Sequence, residues 1–286
     1  WGYSSSRPNQ RRNNLTMGQE KEMSFLDHLE ELRWHVIKAS GAIIIAAIVA
    51  FLAKGFLFDV LIFGPTKADF FTYEFLCNTS RILGFESFCN TNFDFEVQSR
   101  TMAGQFSAHI WTSITFGFII AFPYVIFQFW KFISPGLHHK EKNSSRGFIF
   151  ISSILFFIGV LFGYYIVCPL SINFLGTYSV ADLVHNDFDL NSYIGLIRAS
   201  TLASGLIFEL PIIIYFLTKI GLVTPEFLKK NRKYALVIVL IFAAIITPPD
   251  IASQVIVAIP VLVLYQVSIL ISKIVLRNQK RKETNG

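Results

Sequence analysis

Charge is scarce in this sequence. Asp, Glu, Lys and Arg make up 15% of its 286 residues, where an ordinary soluble domain carries roughly 25%. Apolar residues reach 53%, 30 of them Phe, and the mean hydropathy is +0.51. So little charge beside so much apolar surface excludes a disordered chain and argues against a soluble enzyme. Motifs of hydrolytic or metal chemistry are also missing. HHKE at 138–141 lacks the HExxH spacing that sets two imidazoles on one helix face. No nucleophile and base share an apolar run, and no nucleotide motif occurs. The chain is expected to be no enzyme, with no catalytic residue, metal or cofactor.

What the sequence does have is long apolar runs. Several reach the roughly 18 to 25 residues that cross a hydrocarbon core of about 30 Å. Their periodicity predicts helices near 35–53, 106–133, 147–169, 192–219, 234–247 and 251–272. Six spans put both termini on one side of the membrane, and that side then holds 20 of the 25 Lys and Arg. The exceptions are Lys54, Lys67, Arg81, Arg100 and Arg198. The positive-inside rule makes the terminal side cytoplasmic. The basic surplus is thereby topogenic, with no sign of a nucleic-acid site.

The expected fold class is an all-α integral membrane protein with six transmembrane helices, N-in and C-in, and a long extracytoplasmic first loop over 54–105 forming a cap. Residues 23–273 form one six-helix domain. Residues 1–22 read as a disordered extension, with Met17 a candidate start, and 274–286 as a loose cytoplasmic tail. Arg11-Arg12 lacks the apolar stretch that an export signal needs after it. In the cap, an oxidising compartment would allow Cys77 and Cys89 to bridge, closing a loop of about a dozen residues; two unpaired thiols are the alternative. Cys168 reads as packing.

Polar residues at particular depths carry the remaining information. MSFLDHLEELRWHVIK at 23–38 describes an amphipathic helix at the inner interface, with acids where the inside rule favours cations, and so invites a basic ligand. FISPGL at 132–137 ends the second span, and Glu141 follows among basic residues, where an exposed salt-bridge partner is the plain alternative. FELP at 208–211 puts Glu209 inside a span, at a cost on the order of 2.5 to 3.5 kcal/mol if charged. Pro211 kinks the helix beside it. Arg198, about 16 Å along the same helix, is expected to snorkel outward. TPPDIASQ at 247–254 is a tight outer turn after a short fifth span of about 21 Å, which predicts local thinning of the bilayer or a polar indentation at this end.

HLEELR at 28–33, FISPGL with Glu141, FELP and TPPDIASQ together resemble the TatC family, the polytopic subunit of the twin-arginine protein translocase. The resemblance covers about 23–273. It implies a receptor in the cell inner membrane for twin-arginine signal peptides of folded cargo. Glu31 and Glu141 match the family's recognition carboxylates, with Arg33 and Phe132 supporting that site and Pro65, Asp250 and Gln254 shaping the extracytoplasmic side. Glu209 matches the intramembrane Glu that meets polar residues on single-span TatA and TatB subunits. A proton gradient drives transport, and a homo-oligomer in the receptor complex is implied. A carboxylate at a dry interface can take a guanidinium in two parallel hydrogen bonds, which an ammonium cannot reproduce. Two other readings remain at this point. A proton-coupled small-solute transporter using Glu209 would call for matching repeats, which are not found; a structural scaffold is the other.

Overall fold

The structure, a computed structural model, describes residues 25–67, 70–82, 95–133, 145–181, 186–247 and 251–284. In lipid every backbone group must be paired within its own segment, and the apolar runs accordingly become helices. In chain order they are α1 (Phe25–Leu52), α2 (Phe71–Ile82), α3 (Gly104–Ile133), α4 (Ser145–Phe162), α5 (Cys168–Thr177), α6 (Leu190–Phe208), α7 (Leu210–Lys219), α8 (Pro225–Lys230), α9 (Arg232–Ile246) and α10 (Ile251–Thr284). Among the described residues five stretches are long and apolar enough to cross a membrane: Leu29–Leu52, Gly104–Ile133, Gly147–Thr177, Leu190–Lys219 and Ser253–Arg281. α9 has 15 residues, about 22 Å at 1.5 Å per residue.

Three expectations change. The segment at 23–38 is no separate interfacial helix, because α1 runs unbroken from Phe25 to Leu52 with no proline to stop it. The tail expected to be loose is helical to Thr284, and Gln279 Nε2 donates to the Lys219 carbonyl at 3.0 Å. The fold also holds a two-stranded parallel ladder, which periodicity could not reveal in segments of three residues: β1 (Glu96–Gln98), in the loop expected to form a cap, pairs with β2 (Asp187–Asp189), Val97 opposite Phe188. Asp189 then caps α6, accepting from the Asn191 N–H at 3.0 Å.

Small residues set the helix crossings. A Cβ at Gly117 of α3 would lie 2.6 Å from the Ala47 nitrogen of α1. Cβ atoms at Gly159 and Gly163 would each lie 2.6 Å from an α6 carbonyl, those of Ser204 and Ser200. Lipid offers no hydrophobic drive between helices, so this close backbone approach and the dispersion it permits hold α4 against α6. Phe122 of α3 stacks on Phe156 of α4 with centroids 3.5 Å apart, and Phe156 is fully buried.

The connection that follows α1 is tied down by tyrosines. After α1 the chain makes a π-helical turn (Phe56–Ile62) and a 3-10 turn (Gly64–Thr66). Their carbonyls would be orphaned, but Tyr164 donates to Leu61 at 2.9 Å, Tyr193 to Ile62 at 2.8 Å and Tyr73 to Pro65 at 2.7 Å. Thr72 adds a bond to the Tyr165 carbonyl. Phenols from α2, α6 and the turn following α4 thus converge on one short connection, satisfying backbone groups that neither helix nor sheet can pair.

Candidate functional site

At the amino-terminal end of α1, Glu31 sits half-buried, its side chain 34% exposed. His35, one turn on, places Nε2 3.9 Å from Glu31 Oε1, and its Nδ1 lies 2.7 Å from Oε1 of Gln128 on α3. An amide oxygen can only accept, so Nδ1 carries the proton and, in the neutral ring, Nε2 turns its lone pair toward the carboxylate. Gln128 is buried. The other carboxylate oxygen, Glu31 Oε2, is buried with no hydrogen-bond partner among the described residues. Trp130, two residues from Gln128, is also buried, and its Nε1 lacks a partner among the described residues. With acceptors on both sides of the Glu31–His35 contact, the carboxylate still calls for donors, which a guanidinium supplies.

The remaining residues singled out in the sequence fall as follows. Arg33 is exposed on α1, and Phe132 is half-buried at the end of α3. Glu141 lies outside the described residues, as do Asp250 and Cys89. Pro65 is buried in the 3-10 turn after α1, its carbonyl accepting from Tyr73. Gln254 on α10 donates from Nε2 to the Leu240 carbonyl of α9 at 3.1 Å, bridging the two helices. Cys77 on α2 is disulfide-bonded, while Cys168 is a free, buried thiol.

Glu209 stands at the break between α6 and α7. Pro211 opens α7, and the Ile212 and Ile213 N–H groups both bond the Glu209 carbonyl, at 2.9 and 3.0 Å. The side chain is 6% exposed. Its Oε2 accepts from Ser152 of α4 at 2.7 Å, and its Oε1 is buried without a partner among the described residues. Ten residues separate it from the end of its span at Lys219, about 15 Å of helix. Arg198 does not reach full exposure as expected: it is half-buried, and its Nε has no partner among the described residues. His35, Gln128, Ser152 and Trp130 were not singled out by sequence. The available signals were a His four residues after Glu31, and a lone Gln and a Ser pair inside apolar runs.

The helices and their buried carboxylates define a multi-span membrane protein with polar sites set into its spans. Residues 27–260 match the family described as Sec-independent protein translocase protein (TatC), and the chain belongs to that family. It is 46% identical over 256 residues to the TatC protein of Blattabacterium sp. subsp. Periplaneta americana (strain BPLAN), covering 89% of this chain and 96% of the relative. Identity to TatCy of Bacillus subtilis (strain 168) is 32% over 272 residues, covering 93% and 95%. A crystal structure of the twin-arginine translocase receptor TatC superposes with a TM-score of 0.66 at 34% identity, covering 86% of this chain and 99% of that one. The chain is thus a component of a protein translocase and not an enzyme.

Proposed function

We propose that this chain is the receptor subunit that binds twin-arginine signal peptides of folded cargo at the cytoplasmic face of the inner membrane, and that it recruits single-span subunits of the TatA and TatB type through Glu209. The observation that carries the reading is the buried Glu31 Oε2, without a partner among the described residues, on a carboxylate whose other oxygen faces His35. Two such carboxylates, Glu31 and Glu141, would each take one guanidinium of the arginine pair, with Arg33 and Phe132 shaping the site. Glu209, with one oxygen likewise free of donors among the described residues, offers an acceptor to a polar residue of a neighbouring span.

The same reading makes α9 a sixth, short span, puts both termini in the cytoplasm and places Pro65, Asp250, Gln254 and a Cys77–Cys89 bridge on the far side. Receptor chains associate as a homo-oligomer in the bilayer, and the proton gradient drives passage. The test is site-specific photocrosslinking of a twin-arginine signal peptide. Glu31→Gln or Glu141→Gln keeps shape but removes a charge-assisted bond of roughly 1.5 to 3 kcal/mol, so crosslinking should fall about tenfold or more. Wild-type yield from the double variant would overturn the assignment.

A further inference from the structure

A cavity of about 520 Å³ opens where the far end of α1 meets the start of α3, and nothing in the proposed transport reaction uses it. Lys54, Ser99 and Gln105 form its exposed rim, His109 one wall, and Phe58 and Phe106 give it an apolar lining. Its level is fixed by the helices: the first span ends at Leu52 and the second begins at Gly104, so the mouth lies at the boundary between hydrocarbon and water. Leu52, Phe56, Val60 and Met102 are exposed around that level, as side chains facing acyl chains would be.

The polar groups are specific in sign. Lys54 has no ion-pair partner among the described residues, Asp59 included, and therefore brings an uncompensated ammonium. His109 Nε2 lies 3.1 Å from the Phe51 carbonyl, and its ring stacks on Phe51 with centroids 3.8 Å apart. A carbonyl can only accept, so Nε2 holds the proton and Nδ1 of the neutral ring is an acceptor. Ser99 Oγ donates to the Thr101 carbonyl at 3.3 Å, which leaves its lone pairs to accept as well. One cation, two acceptors that call for hydroxyl donors, an amide able to do either, and an apolar lining at the interface describe a single ligand.

We propose that this cavity binds an anionic phospholipid with a hydroxylated headgroup, of the phosphatidylglycerol kind. Its phosphodiester sits on Lys54, its headgroup hydroxyls on Ser99, Gln105 and His109, and its acyl chains run along Phe58 and Phe106. A zwitterionic headgroup would set its own cation against Lys54. The lipid seals the joint between the first span and the cap.

The experiment is native mass spectrometry of the delipidated full chain, titrated with phosphatidylglycerol, phosphatidylcholine or the soluble headgroup glycerophosphoglycerol. One phosphatidylglycerol should bind about fivefold more tightly than phosphatidylcholine. Lys54→Gln should abolish that preference, while Lys67→Gln, an exposed lysine elsewhere in the cap, should retain it. Gln105→Trp, which fills the cavity from its rim, should lower occupancy with unchanged helical circular dichroism; should that variant not fold, Lys54→Gln decides alone. Equal binding of the two lipids, or an unaltered preference in Lys54→Gln, would overturn the site. Equal competition by the soluble headgroup would overturn the assignment to a lipid.

Discussion

Among the described residues the Glu209 carboxyl accepts one hydrogen bond, that of Ser152, and this sets what each substitution should do. Gln at 209 keeps an oxygen whose two lone pairs can serve both Ser152 and a neighbour, and adds an N–H donor, so docking of a TatA or TatB type subunit should persist. Leu fills similar space but offers nothing polar, and docking should be lost while signal-peptide crosslinking is kept. Ser152→Ala should leave docking intact, because the oxygen offered to the neighbour is the other one. Co-purification of the single-span subunit with all three variants decides; wild-type recovery with Leu would show that Glu209 is not the docking point. Glu209 was legible in the sequence because an acid in an apolar run stands out by its cost. Ser152 was not, since it meets Glu209 across 57 residues of chain, and His35 meets Gln128 across 93. Periodicity reports a residue's own helix and is silent on the facing one.

Elements are held by backbone approach and by the cap, and the cap gives the sharper test. Tyr73→Phe removes the donor to the buried Pro65 carbonyl, at a cost of about 1 to 3 kcal/mol for an acceptor left unpaired, read as a loss of thermal stability. Burial pushes the Tyr73 phenol above its ordinary value of 10.0. The neutral form is therefore the one the fold favours. Its contribution is complete below pH 10 and is lost as the pH rises beyond that through the folded value. Between about pH 8 and 11 the wild type should lose more stability than Tyr73→Phe, and parallel curves would remove Tyr73 from the account. The cap's second tie is the proposed Cys77–Cys89 bridge. A thiol-reactive mass tag should modify neither residue without reductant and both after reduction; equal labelling in the two states would dismiss the bridge. The apolar helices were legible from their runs, because length and hydropathy suffice for them. The merger of 23–38 into α1 was not: the change from mixed to apolar composition at about residue 39 mimics a boundary, yet no residue there breaks a helix.

For the whole molecule the open quantity is the number of crossings, and α9 decides it. Five long stretches alone would leave the two termini on opposite sides of the membrane; a sixth crossing by α9 returns them to one side. At about 22 Å, α9 is shorter than a typical hydrocarbon core of about 30 Å, so it spans only where the bilayer thins or where neighbours cover its ends. Those neighbours exist. Val239 and Ala243 of α9 pack in one buried cluster with Val257, Ala258 and Val261 of α10, and Gln254 reaches back to Leu240. Arg232 and Lys233 at its start further oppose moving that end away from the cytoplasm. Single cysteines introduced by Lys230→Cys, Arg281→Cys and Tyr178→Cys, all at exposed positions, report the result to a membrane-impermeant maleimide applied without reductant. Background is low, because Cys168 is fully buried and Cys77 is bonded. If α9 crosses, positions 230 and 281 label from the same, cytoplasmic side and 178 only from the other. If α9 lies against the membrane instead, α10 must begin where α7 ended, and 281 will label with 178 and opposite to 230.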